Sequence, residues 1–340
     1  MTHSKADWVI GVDVGGTNLC VGLVPAPEGA SERPTRFLRV RPTRPERGAD
    51  AVVADLIEMA REVSAELAAG GQTPLGVGIG CPGPIDREAG LVLESPNLHW
   101  TDFPLRDRIA AELDLPTTLD NDANCATYGE WWRGAARGAA SVVGVTLGTG
   151  VGGGVVIGGA VVRGASGAAG ELGHTVVEID GRACPCGSDG CLEAYVAGPA
   201  IAQRARERLE VGARSVLSAS REFCAADVFR ASATGDEVGR EVVRGTARAL
   251  GAALASVVNL LSPKVVVIVG GVAASADQLL VPVRREVERR TFRCAADACS
   301  ILRGELGRAA GVVGAAGVFL DDLRNGRGRL GRSQPRGGRR

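Results

Sequence analysis

Apolar positions along this chain fall into short continuous runs and longer stretches with helical spacing. Trp8–Val14 and Leu19–Val24 are apolar runs flanking Gly15-Gly16-Thr17-Asn18. Runs of that length around a glycine turn read as two antiparallel strands. Between Asp50 and Ala69 the apolar residues recur at i, i+3 and i+4, which predicts a helix. "LGVGIGCPGPID" from Leu75 reads as a strand and then a Pro/Gly loop. "DFPLRDRIAAELDLP" from Asp102 holds a helix closed by Pro116, and "TTLDNDANCATYGEWW" from Thr117 gives a short strand, a polar turn and a helix.

The first pattern then recurs. "SVVGVTLGTGVGGGVVIGGAVV" from Ser141 is again an apolar run, a Gly/Thr turn and a second apolar run. Helical segments follow from Pro199 to Ser262, then a strand at Val265–Val269 ending in Gly270-Gly271, and a last helix over Arg308–Leu323. Strands alternating with helices predict an α/β protein. The final stretch from Arg324 has seven arginines, no acid and no apolar period, so residues 324–340 are expected to be a disordered, solvated tail.

Composition narrows the class. The 340 residues suffice for two domains or one two-lobed unit, and 45% hydrophobic content supports a large core. Cations and anions balance at 39 each, which gives no case for nucleic acid or an anionic membrane as partner. No basic start followed by an apolar stretch is visible at the N-terminus, and Val265–Val269 is too short to span a bilayer. A soluble, cytoplasmic protein is expected. Thiols stay reduced there, so clustered cysteines point to metal or catalysis before disulfides.

Glycine turns between strands bring several backbone N–H groups close to one point with no Cβ in the way, a cradle for phosphate oxygens. "DVGGT" supplies Gly15, Gly16 and the hydroxyl of Thr17; "LGTGVGGG" supplies Gly148, Thr149, Gly150, Gly152 and Gly153. Either turn alone also fits a plain tight hairpin; the pair on two similar hairpins is the stronger signal. Asp13, before the first turn, is placed to hold Mg²⁺ or its waters beside phosphates, or simply to cap the hairpin. No G-x-x-x-x-G-K-[ST] occurs, and "GTGVGG" leads into β-like sequence, against a dinucleotide fingerprint. Asp122 in "DNDANC" opens a helix, where the positive end keeps it ionised. It suits either an N-cap or a general base for a hydroxyl in phosphoryl transfer.

The spacing His174-x9-Cys184-x-Cys186-x4-Cys191 offers one imidazole and three thiolates. Such a set can complete a closed tetrahedral zinc site, structural because no position stays open for substrate. The alternative is reduced, buried cysteines near a core histidine; the Pro and Gly residues of "CPCGSDGC" favour a tight ligand loop. Glu193 lies two residues after the last cysteine, just past the loop, and Glu171 lies three residues before the histidine.

In order along the chain, "DVGGTN", "PNL", "NDANC", "LGTGVGGG", "GELGH" and "CPCGSDGCLEAYVAG" resemble the ROK (repressor, open reading frame, kinase) family, nearest its bacterial ATP-dependent glucokinases. The resemblance covers Trp8 to Leu323. It implies a two-lobed actin/hexokinase-like (ribonuclease H-like) ATPase fold with a structural zinc loop at 174–191. The lobes would be residues 1–122, joined by the return helix 308–323, and residues 123–307, closing over sugar and ATP. It implies phosphorylation of glucose at the 6-hydroxyl, with Asp122 as base. Sugar contacts would come from Asn97, Asn121, Glu171, His174 and Glu193, phosphate contacts from the two glycine turns, and adenosine-side contacts from Gly270 and Gly271. Where the family often has a third glycine this chain has Val272. A homodimer is implied as well. Rival readings are a kinase of N-acetylmannosamine, N-acetylglucosamine, fructose or mannose, and, more remotely, a sugar-responsive repressor lacking its DNA-binding domain.

Overall fold

The computed structural model describes residues 7–26, 35–220, 222–272, 278–326 and 331. The chain divides into two compact units: Met1–Arg137 with Val161–Ala169 and Leu306–Arg340, and Gly138–Ala160 with Gly170–Glu305.

In the first unit, β1 (Trp8–Val14) and β2 (Asn18–Pro25) form the antiparallel glycine-turn hairpin, with Asp13 opposite Cys20. A third strand, β3 (Arg36–Pro42), pairs with β2. Helix α1 (Ala49–Ala68) buries Val52, Leu56, Met59, Val63 and Leu67 at helical spacing against this sheet. Burying each such side chain contributes about 1.5–3 kcal/mol. Strand β4 (Val77–Cys81) lies parallel to β1. Next come three short strands, β5 (Ile85–Asp86), β6 (Leu91–Ser95) and β7 (Trp100–Phe103), which make a small separate sheet. Helix α2 (Leu105–Leu113) leads to β8 (Thr117–Asn121), parallel to β4. The sheet order is β3-β2-β1-β4-β8. The carboxyl ends of β1, β4 and β8 are therefore neighbours, with Asp13 beside Gly80 and Gly80 beside Asp120. Open α/β sheets bind ligands at such strand ends. Helix α3 (Asp122–Arg133) starts where β8 stops.

The second unit repeats the plan. Strands β9 (Ser141–Leu147) and β10 (Val151–Ile157) form a hairpin around the second glycine turn, with the short β11 (Ala160–Val161) after it. Helices α4 (Glu193–Val196), α5 (Gly198–Glu210), α6 (Ala225–Ala233) and α7 (Glu237–Leu261) then lead to β12 (Val265–Val269), parallel to β9. After α8 (Leu280–Arg290) and α9 (Arg293–Ala298), β13 (Ser300–Arg303) completes the order β11-β10-β9-β12-β13. All five residues of β12 are buried apolar side chains, as expected of a central parallel strand.

The chain returns to the first unit as α10 (Ala310–Asn325), buried along its whole length from Ala310 to Leu320. Val312, Ala316 and Phe319 cover Val9 and Val24 on one sheet face. Gly314 lies against the backbone of Cys125 and Gly129, so α10 and α3 pack tightly and the first unit extends past residue 122 to Arg137. Of the tail expected to be disordered, Arg324 and Asn325 finish α10, and Gly326 caps it in the left-handed conformation. Gly331 is buried and forms an antiparallel bridge with Thr117 at the start of β8. Residues 327–330 and 332–340 lie outside the described residues. Among the described residues no helix is long and apolar enough to cross a membrane.

Candidate functional site

Each unit presents its own set of candidate residues. In the first, the turn after β1 is closed by Gly15 N donating to Asn18 O at 2.9 Å. Thr43, which the sequence reading passed over, braces this turn from behind. Its hydroxyl donates to Gly15 O at 2.5 Å and its amide to Thr17 O at 3.0 Å. Asn97 lies in the 3-10 turn Pro96–Leu98, beside the same glycines: a Cβ on Gly16 would sit 3.0 Å from the Asn97 Cβ.

Asp13 is enclosed by the start of α10. A Cβ on Gly311 would come 2.4 Å from its carboxylate, so only glycine fits there. Burial, and then the charge of Asp122, push the Asp13 carboxyl up to about 7. An enclosed carboxylate with a second acid's charge nearby suits a cation beside it, and Asp13 fits an Mg²⁺-holding role.

Asn121, not Asp122, caps α3. The Asn121 Oδ1 accepts from Ala123 N at 2.9 Å and Asn124 N at 3.1 Å, and its Nδ2 donates to Gly83 O at 3.2 Å. Asp122 is the first helical residue, its Oδ1 accepting from Ala123 N at 2.8 Å. The cap is thus filled by its neighbour, and Asp122 sits in the first turn of α3, at the positive end of the helix. Cys81 and Cys125 pack below it, and burial raises both thiols well above their ordinary value, which makes them inert packing groups rather than nucleophiles.

In the second unit, Gly148 N donates to Gly150 O at 3.0 Å, and Gly198 N, opening α5, donates to Gly148 O at 2.8 Å. Gly270 adopts φ 102° beside Leu147, which puts the end of β12 next to this turn. Val272, at the family's third glycine, is instead part of the apolar core. Gly152 and Gly153 are strand residues of β10, paired with Thr146 and Val145. A Cβ on Gly153 would clash with Gly170 O at 2.4 Å, so this glycine lets the Glu171 segment lie flat on the strand.

Glu171 starts the 3-10 turn Leu172–His174. Burial raises its carboxyl, with His174 opposing and Glu193 adding to the shift, so the three groups share one neighbourhood. Glu193 Oε2 accepts from Val151 N at 2.7 Å.

His174, Cys184, Cys186 and Cys191 place their ligand atoms within 4.8 Å of one another. Cys184 Sγ is 3.8 Å from His174 Nδ1, and Cys186 Sγ is 3.7 Å from Cys191 Sγ. A tetrahedral zinc with bonds to sulfur of about 2.3 Å separates its ligands by about 3.8 Å; a disulfide would need about 2.05 Å. The donor set and spacing fit zinc. The loop is pre-formed by its backbone, with Cys184 N to Ser188 O at 2.8 Å and Leu192 N to Thr175 O at 2.9 Å. The Ser188 amide and the Cys184 thiol hold the Cys186 thiol down to about 7, towards the thiolate a metal needs.

The family model described as "ROK family" matches residues 9–322, and the chain belongs to that family. It is glucokinase-like within it. A glucokinase of Thermotoga maritima is 37% identical over 320 residues, covering 93% of this chain and 98% of that protein. One from Halalkalibacterium halodurans is 36% identical over 312 residues, covering 90% and 93%. The crystal structure of a ROK family glucokinase from Streptomyces griseus in complex with glucose and AMPPNP superposes with a TM-score of 0.77 at 33% identity, covering 92% of this chain and 98% of that one. The chain thus has the two-lobed α/β fold of that family.

Proposed function

We propose that this protein transfers the γ-phosphate of ATP to the 6-hydroxyl of glucose, giving glucose 6-phosphate. The observation that carries the proposal is that Asp13, near the end of β1, and Asp122, opening α3 after β8, stand at neighbouring strand ends, with Asp13 enclosed and its carboxyl raised first by burial and then by the Asp122 charge. Asp122 accepts the proton of the sugar hydroxyl as the phosphorus–oxygen bond forms, and ADP leaves. Asp13 would hold the Mg²⁺, which would supply positive charge against the phosphates. Amides of the turns at Gly15–Gly16 and Gly148–Gly150, with Thr17 and Thr149, orient the phosphates, and Gly270 and Gly271 serve the adenosine side. Asn97, Asn121, Glu171, His174 and Glu193 read the sugar hydroxyls. Carboxylates accepting from vicinal hydroxyls reject analogues that leave them unpaired. His174 would hold zinc through the Nδ1 that faces Cys184, which leaves Nε2 for the sugar. His174, Cys184, Cys186 and Cys191 would hold a structural zinc that fixes the loop just before Glu193.

The relatives' glucokinase names support glucose over N-acetylmannosamine, N-acetylglucosamine, fructose or mannose. The test is a sugar panel with coupled ADP detection in Mg²⁺-ATP. The reading requires glucose to give the highest kcat/KM. A higher value for another hexose reassigns the substrate, and no sugar-dependent ADP at all removes the kinase reading.

A further inference from the structure

Asp120 is buried, and its two oxygens serve different elements. Oδ1 accepts from the Asn121 amide at 2.8 Å and from Asn124 Nδ2 at 3.2 Å, both in the turn that opens α3 around Asp122. Oδ2 accepts from Arg163 Nε at 2.9 Å and Nη2 at 2.7 Å and lies 3.2 Å from Arg87 Nε. Arg87 also donates to Leu119 O at 3.2 Å and pairs with Asp322 on α10. Two arginines and two aspartates thus balance in one enclosed cluster directly behind the β8–α3 junction.

Arg163 belongs to the segment Val161–Ala169, which is part of the first unit although the chain on either side is in the second. Ala169 N donates back to Arg163 O at 3.0 Å, closing the segment on its own arginine. The chain reaches Glu171 two residues later.

Asn121 already caps α3, so the helix start needs no buried ion pair. Buried pairs add little net stability over apolar packing, but they fix direction and are costly to break from one side. A catalytic carboxylate needs such fixing, since a displacement of about 1 Å costs on the order of a hundredfold in rate. We infer that the Asp120–Arg163 pair is a positioning device that holds the opening turn of α3, and through it the Asp122 carboxylate. This rests on Asp122 being the base.

The experiment compares Asp120→Asn, Arg163→Met and the double variant with Val63→Ala, a destabilised control in the core of α1. Asp120→Asn keeps Oδ1 for the α3 turn and turns a donor toward Arg163. Each single variant is expected to lose about ten- to a hundredfold in kcat with the ATP KM within about twofold. The double variant should be no worse than Asp120→Asn, because the pair acts as one unit, and Val63→Ala should keep its kcat. Hydrogen exchange in the ligand-free protein is read in parallel. The Ala123 and Asn124 amides should exchange faster in both pair variants and not in the control. Wild-type exchange there, or wild-type kcat with only a lowered Tm, overturns the inference. Faster exchange in a protein that phosphorylates no sugar leaves the positioning of the α3 turn standing and removes the kinase reading instead.

Discussion

Glu193 accepts a hydrogen bond from the Val151 amide at 2.7 Å. A residue two positions past the last cysteine of the metal cluster is thereby tied to the second glycine turn. One carboxylate oxygen carries this contact, and the other is assigned to the sugar. Glu193→Gln keeps an acceptor for Val151 and loses the charge. It should raise the sugar KM about tenfold with little change in Tm. Glu193→Ala removes the acceptor as well and should cost a further ~1 kcal/mol of stability. Equal stability of the two variants would show that the Val151 contact contributes nothing.

The metal cluster makes a second prediction. The purified chain should carry about one zinc per subunit, and Cys184→Ala, Cys186→Ala and Cys191→Ala should each lose it. Loss of a ligand frees the loop before Glu193 and the ring of His174, whose ordering on binding then opposes sugar affinity. The sugar KM should rise more than the ATP KM. Full activity in a variant shown to be zinc-free would remove the scaffold role.

Asp13 gives a pH signature. Its carboxyl is raised from 3.8 to about 7 in the fold, so folding favours the protonated form. The stability that Asp13 contributes is full below pH about 4 and is lost as pH rises toward about 7. Urea unfolding of the ligand-free protein should therefore show a steeper loss of stability between about pH 4 and 7 in wild type than in Asp13→Asn. The same slope in both would mean that Asp13 titrates normally.

The bridge between Gly331 and Thr117 concerns the tail. Gly331 N donates to Thr117 O at 3.0 Å and Thr117 N to Gly331 O at 3.4 Å. A chain ended after Gly326 should lose about 1–2 kcal/mol of stability through these two bonds and keep its kcat. An unchanged Tm would show that the bridge is not maintained in solution.

What could be read in advance follows a physical divide. The two hairpins, α1, β12 and the metal loop each carry their signal in a few contiguous residues, as apolar period, glycine turn or ligand spacing. Strand β3 was missed because its arginines reach Glu58 and Glu62 on α1, so it reads as a charged stretch until the helix is placed. The β5–β7 sheet has strands too short for a period to show. Thr43 and the Asp120–Arg163 pair act across 28 and 43 residues, and no local spacing announces such contacts. Asp122 was legible as a helix-opening acid, but its release from the capping role appears only once Asn121 is seen to fill the cap.

The central claim is that Asp122 is the general base of sugar phosphorylation. Asp122→Asn keeps the shape of the side chain and removes the proton acceptor. Steady-state kinetics with glucose and Mg²⁺-ATP, beside glucose binding to the same variant, is the direct measurement. The account predicts a kcat lower by at least about a hundredfold with folding and glucose affinity largely kept. A near-normal kcat in this variant would contradict it.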